Sequence, residues 1–159
     1  RCPLPSGAPV RPVEDGENYF IPSGTIHAIG KGVTVIEIQQ NSNLTYRLYD
    51  YNRIGKDGKP RELHIQKALK VIDTKAYHPI SFQEPLIGEC KYFSSSVHNV
   101  KDIPMIQANK ESFISITFLT GEGSVNSIPY KALDTFFIPA GKEAVLKGSG
   151  TFVLTTVNR

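Results

Sequence analysis

Tryptophan is absent from this chain of 159 residues, methionine occurs once, and aromatic residues make up 9% of the whole. With a net charge of only +3 and no basic cluster, the chain lacks the positive, aromatic-studded face of a nucleic-acid binder. A small positive balance suits a small anionic ligand instead. Cysteine is nearly absent too: Cys2 and Cys90 stand far apart, with no C-x-x-C and no Cys/His pairing. That spacing argues against a disulfide framework or a structural zinc knot, and unpaired cysteines suit a reducing compartment, so a cytoplasmic location is expected. No apolar run is long enough to span a membrane, and no basic-then-apolar leader is visible, so neither membrane nor export is expected. Glycine-rich phosphate loops are missing as well, because the glycines of GKG (from Gly30) and GKDG (from Gly55) lack the strand and helix contexts such loops need. A phosphate would have to meet side chains, and Lys31, Arg47, Arg53 and Arg61 are the candidates.

What the chain does contain is 40% hydrophobic and 21% charged residues, enough for a sizeable core in one large or two small domains. Residues 1–15 carry Pro3, Pro5, Pro9 and Pro12 without strand periodicity and read as a linker or a truncated edge. Beyond them, short β patterns alternate with turn signals at 18–22, 32–40, 44–51, 89–96, 113–120, 135–139 and 151–157. This is the rhythm of a jelly roll or barrel. One stretch departs from it: Pro60 opens a helical pattern in which Ile65, Ala68, Leu69 and Ile72 share an apolar face. A mostly β protein with one clear α-helix is expected.

The densest pattern is Gly16, Pro22, Gly24 and His27, spaced G-x5-P-x-G-x2-H. It resembles the second motif of the cupins, in which a strand reaches the barrel mouth, proline and glycine turn it, and the return strand points histidine into the lumen. A neutral imidazole on a rigid strand is a good ligand for a divalent metal. A second copy begins at Asp134: Ile138, Pro139 and Gly141 keep the turn, while Ala144 stands at the histidine position and Leu133 at that of Gly16. One copy could bind metal and the other could not. The competing reading makes both ordinary β-turns and His27 a core histidine.

The segments PSGTIHAIGKG, EIQQNSNLTYRLYDYNR and DGKPRELHIQKAL, in that order, resemble the type I mannose-6-phosphate isomerases, in particular their short bacterial members. The resemblance implies a cupin/jelly-roll (RmlC-like) fold. Residues 16–59 would be the C-terminal part of a metal-binding barrel, 60–85 a helix and connector, and 86–159 a second, degenerate, metal-free cupin domain. It implies zinc-dependent interconversion of mannose 6-phosphate and fructose 6-phosphate, with His27 as a zinc ligand and Arg47 as the active-site arginine. Moving a proton between C1 and C2 passes through an enediolate, whose charge a fixed guanidinium can meet with two donors. Glu37, between the two, would serve as hydroxyl acceptor or proton carrier, or would simply face solvent. Period two places Gln39 and Asn41 on the same face as Glu37, a polar stripe suited to a sugar.

Two positions depart from the family pattern: Asn43 stands where aspartate is usual, and Lys31 where the general cupin motif ends in asparagine. The remaining zinc ligands of the family come from an N-terminal half, and no H-x-H followed by glutamate occurs here. His64, His78 and His98 are not at ligand spacing from His27, and packing is the expected reason for His64. The expected partners are therefore a phosphosugar and either a second copy of the chain, as a homodimer, or a complementing N-terminal half. The alternative function is a non-catalytic cupin module that binds a sugar or a partner chain.

Overall fold

Strict alternation builds the second half of the molecule. In the strand 114–118, Ile114, Ile116 and Phe118 are buried while Ser115 and Thr117 are half-exposed, the period-two signature of a sheet with one face on a core. The structure, a computed structural model, describes residues 10–42 and 44–158. Cys2, Asn43 and the first nine residues of the expected linker lie outside the described residues. Two compact units are present, one built on Ile21–His78 and the other on Pro79–Arg159 together with Asn18–Phe20.

The second unit carries nine strands: β1 (Leu86–Glu89), β2 (Phe93–Asn99), β3 (Met105–Gln107), β4 (Ile114–Phe118), β5 (Glu122–Val125), β6 (Ile128–Lys131), β7 (Thr135–Ile138), β8 (Glu143–Ser149) and β9 (Thr151–Val157). They form two antiparallel sheets, ordered β1-β2-β9-β4-β7 and β3-β8-β5-β6. The inner faces close on one cluster that includes Ile106, Ile116, Phe118, Val125, Tyr130, Leu146 and Phe152. Phe118 is its centre: it stacks on Tyr130 at 3.6 Å between centroids and meets Phe136 and Phe152 edge-on or tilted. Hydroxyl pairs tie neighbouring strands, Ser94 to Thr156 and Ser95 to Thr155 across β2 and β9, and Thr117 to Thr135 across β4 and β7, each at 3.0 Å. The fold is mostly β, of the cupin/jelly-roll class, with one short helix.

Several expected elements differ from the structure. The strand expected at 89–96 is two strands, because the chain turns at Lys91 and Tyr92, closed by Cys90 N–H donating to the Phe93 carbonyl at 2.9 Å. β3, β5, β6 and β8 are not among the expected strands; β3, β5 and β6 are three or four residues long, with Gly123 and Pro129 interrupting the usual strand composition, while β8 has seven residues. The helix is a single turn, α1 (Ile65–Ala68), which tightens through bonds from Lys70 N–H to the Lys67 carbonyl and from Val71 N–H to the Ala68 carbonyl. Of its apolar face, Ala68 is buried while Ile65 and Leu69 are exposed.

The strands expected at 18–22, 32–40 and 44–51 form no ladder among the described residues; within 21–78 the bridge from Ile54 to Pro60 is the pairing present among them. A strand is completed by a neighbour that takes its N–H and C=O groups. The side-chain alternation survives without one: Ile36 and Ile38 are half-buried, while Val35, Glu37 and Gln39 are exposed.

Candidate active site

The proline-glycine turn forms as its residues dictate. Thr25 N–H donates to the Pro22 carbonyl at 3.2 Å, and Gly24 between them has φ +91°, the third-position conformation of a type II turn, which glycine adopts without strain. A Cβ on Gly24 would sit 2.8 Å from the Val71 carbonyl oxygen, and the Gly24 carbonyl accepts from Asp73 N–H at 3.0 Å. The turn thus packs on the chain that follows α1. Two residues on, the His27 ring is exposed, with Nδ1 3.0 Å from the Thr25 carbonyl oxygen.

The second copy makes the same turn: Lys142 N–H donates to the Pro139 carbonyl at 3.1 Å, and Gly141 has φ +71°. The residues at the histidine position meet opposite fates. Ala144 is fully buried in the core and paired with Ile106 in the β3–β8 ladder, so a methyl group fills the space where a ligand would stand.

Arg47 is held on several sides. Its Nη1 donates to the Glu62 carbonyl at 3.2 Å, its Nε lies 3.7 Å from Asp50 Oδ1, and its side chain is only 23% exposed. Asp50 is the hub. Its carboxylate, 7% exposed, receives Arg61 Nε on Oδ2 at 2.6 Å and Arg61 Nη2 on Oδ1, and Arg53 Nε stands 3.6 Å away. The bidentate grip of Arg61 is the strongest geometry open to a carboxylate. It holds the Asp50 carboxyl below the usual carboxylate range, against the opposing effect of burial, with the charges of Arg61, Arg53 and Arg47 adding to it.

A strained turn brings Arg53 to this hub. Arg53 N–H donates to the Asp50 carbonyl at 2.9 Å, while Tyr51 and Asn52 both take positive φ, at 54° and 53°, as the central residues of a type I′ turn do. Such a conformation costs a residue other than glycine about 1–3 kcal/mol. Tyr51 packs edge-on against Tyr49 and lies under the Arg53 guanidinium at 5.4 Å. Its hydroxyl is buried without a hydrogen-bond partner among the described residues.

The structure therefore gathers Arg47, Arg53 and Arg61 around Asp50, with His64 Nδ1 accepting from Arg47 N–H. The sequence assigns no site role to Asp50 or His64, and it offers Arg53 and Arg61 only as phosphate candidates. One signal was available for Asp50: it stands three residues after Arg47 and three before Arg53. Glu37, Gln39, Asn41 and His27 are exposed. Among the described residues no group of three His, Cys, Asp or Glu side chains could hold a metal ion. A zinc site takes three or four protein ligands, so these residues alone do not fit one. No described helix is long and apolar enough to cross a membrane.

No protein-family model matches the chain. Individual proteins do. Mannose-6-phosphate isomerase ManA of Bacillus subtilis (strain 168) is 37% identical over 142 residues, 81% of this chain and 45% of its own length. This chain is homologous to mannose-6-phosphate isomerases. YvyI of the same organism is 34% identical over 161 residues, covering 91% of this chain and 50% of the relative. The crystal structure of mannose 6-phosphate isomerase from Bacillus subtilis aligns with a TM-score of 0.57 and 27% identity over 74% of this chain and 41% of that one. The chain spans about half the length of the curated relatives it matches. The mostly β fold seen here aligns with that of this crystal structure.

Proposed function

We propose that the chain carries the arginine side of a type I mannose-6-phosphate isomerase site, acting in the interconversion of mannose 6-phosphate and fructose 6-phosphate. The observation that carries this reading is the fixing of Arg47. A guanidinium turned by Asp50 on one edge and the Glu62 carbonyl on another is preorganised, and preorganised donors stabilise charge that develops only in the transition state. The developing charge here is the enediolate formed as a proton moves between C1 and C2. Glu37 would accept a sugar hydroxyl or carry that proton, and Gln39 and Asn41 would bind sugar hydroxyls. Three guanidiniums around one carboxylate leave a positive excess, which supports Arg53 and Arg61 as partners for the substrate phosphate.

The zinc of this reading would take His27 as one ligand. Its other donors would come from outside the described residues, supplied by a complementing half or by a second copy of the chain. A cytoplasmic location accompanies the phosphosugar substrate.

The test is an isomerase assay with mannose 6-phosphate and added zinc, with a chain carrying the unmatched part of the relatives supplied alongside, comparing wild type with Arg47→Lys and His27→Ala. Arg47→Lys keeps the charge but loses the planar fork, so kcat should fall by about a hundredfold or more with a smaller change in KM. Turnover that survives Arg47→Lys unchanged would remove Arg47 from the chemistry. The lack of a metal-binding group among the described residues favours a second reading, a non-catalytic cupin module that binds a sugar or a partner chain. Saturable sugar binding with no turnover, in the presence of zinc, would select it.

A further inference from the structure

We propose that His64 is a positioning residue for Arg47, acting through the Arg47 backbone; this rests on the isomerase reading, in which Arg47 meets the substrate. Two hydrogen bonds run in opposite directions between the residues. His64 N–H donates to the Arg47 carbonyl at 2.7 Å, and Arg47 N–H donates to His64 Nδ1 at 3.2 Å. This is the reciprocal exchange of an antiparallel ladder, with an imidazole nitrogen in place of one carbonyl. Arg47 lies in a segment with no ladder of its own among the described residues, so the exchange supplies the fixing that a paired strand would otherwise give.

The placement of His64 makes the exchange specific. It stands at the N-cap of α1, where a polar side chain ordinarily turns back to accept from the first-turn amides. No such cap bond is made, and the ring is directed to Arg47 instead. Accepting at Nδ1 requires that nitrogen to be unprotonated, so the neutral ring carries its proton on Nε2, which lies 3.8 Å from Glu62 Oε2. Glu62 holds the other end of the same residue, since its carbonyl accepts from Arg47 Nη1. The chain from Glu62 to His64 therefore fixes Arg47 at both backbone and guanidinium, while Asp50 takes the Nε side. Both hydrogens of Nη2 and the second hydrogen of Nη1 are the donors these contacts leave for an oxyanion. A backbone freed at Arg47 would let the whole side chain shift, and misplacement by about 1 Å can cost about a hundredfold in rate.

Asparagine and glutamine separate positioning from packing. The Asn Oδ1 occupies the place of His Nδ1 and can accept from the Arg47 amide, whereas the Gln Oε1 occupies the place of Nε2 and cannot. The 159-residue chain would be labelled with nitrogen-15, and wild type, His64→Asn, His64→Gln and His64→Ala compared by Arg47 amide exchange, mannose 6-phosphate turnover and thermal melting. In wild type the imidazole nitrogen shifts should report an unprotonated Nδ1. Glutamine and alanine should speed Arg47 amide exchange about tenfold and lower kcat up to about a hundredfold with little change in KM. Asparagine should recover most of both. An Nδ1-protonated ring, Arg47 exchange untouched by His64→Gln, or His64→Asn as damaging as His64→Gln would each overturn the assignment. A wild-type chain that exchanges as expected but turns over no sugar, with zinc and a chain carrying the unmatched part of the relatives both supplied, would overturn the isomerase reading instead, because the exchange measurement does not depend on turnover.

Discussion

Asp50 shows what a single residue decides in this molecule. Three guanidiniums gather round one nearly buried carboxylate, and removing its charge would leave them facing one another with nothing between. The Arg61 hydrogen bonds hold the Asp50 carboxyl below its ordinary range, so on acidification the unfolded chain takes up that proton before the folded one. The stability Asp50 contributes is therefore fully present above the ordinary carboxylate range and is lost as pH falls through the lower, folded value. Urea melts of wild type and Asp50→Asn should differ by a constant amount from neutrality down to about pH 5 and converge below about pH 4. A difference that persists undiminished at about pH 2 would assign the effect of the substitution to packing rather than charge. Arg47 was legible in the sequence because a motif surrounds it. Asp50 was not, since an acid within RLYDYNR reads as an ordinary solvated charge. Its burial and its bond to Arg61 are made by the strained turn at Tyr51 and Asn52 and by a residue eleven positions away.

At the scale of elements, the close crossing of the turn after β4 with the turn between β8 and β9 is set by glycine. Gly150 is the single residue between β8 and β9. It has φ +129°, a Cβ there would overlap the Thr120 carbonyl oxygen, and its own carbonyl accepts from Val100 N–H at 3.0 Å. Gly141, with φ +71°, has open space around it. Gly150→Ala carries both backbone strain and overlap and should cost more than about 2 kcal/mol, whereas Gly141→Ala carries the strain alone, about 1 kcal/mol. Chemical denaturation of the two variants checks the order, and equal losses would show that the crossing relaxes freely. The same contrast explains what could be read in advance. Long alternating runs such as 113–120 and 151–157 announced β4 and β9 because their period is an intrinsic property of the residues. β5 and β6 did not, because Glu122–Val125 and Ile128–Lys131 are too short to show a period and are held in place by each other and by β8. The pattern at 32–40 was also legible, but a pattern states which face is apolar and cannot provide the neighbouring strand.

For the whole molecule, the two units stand in different states of completion. The unit on Pro79–Arg159 buries Ile116, Phe118 and Phe152 completely, and Phe118→Ala should cost it about 3–5 kcal/mol; a loss under about 1 kcal/mol by urea melting would mean that the stack on Tyr130 is not the centre of that core. The unit on Ile21–His78 exposes Ile26, Ile29, Val33, Val35 and Leu44, with Leu44 at 71%, along segments whose backbone forms no ladder among the described residues. Each such side chain gains about 1.5–3 kcal/mol when fully buried, and unpaired strand segments are templates for pairing. The matched relatives are about twice as long as the region they share with this chain. These observations support pairing of residues 26–46 with a second chain, either another copy or one carrying the unmatched part of the relatives. Sedimentation velocity across a micromolar concentration series should show self-association, and far-UV circular dichroism should gain strand signal with it. Ile26→Lys combined with Leu44→Lys should shift both toward the monomer, because two charges on the pairing segments would have to be buried at the interface. A monodisperse monomer at every concentration would remove the second copy from consideration.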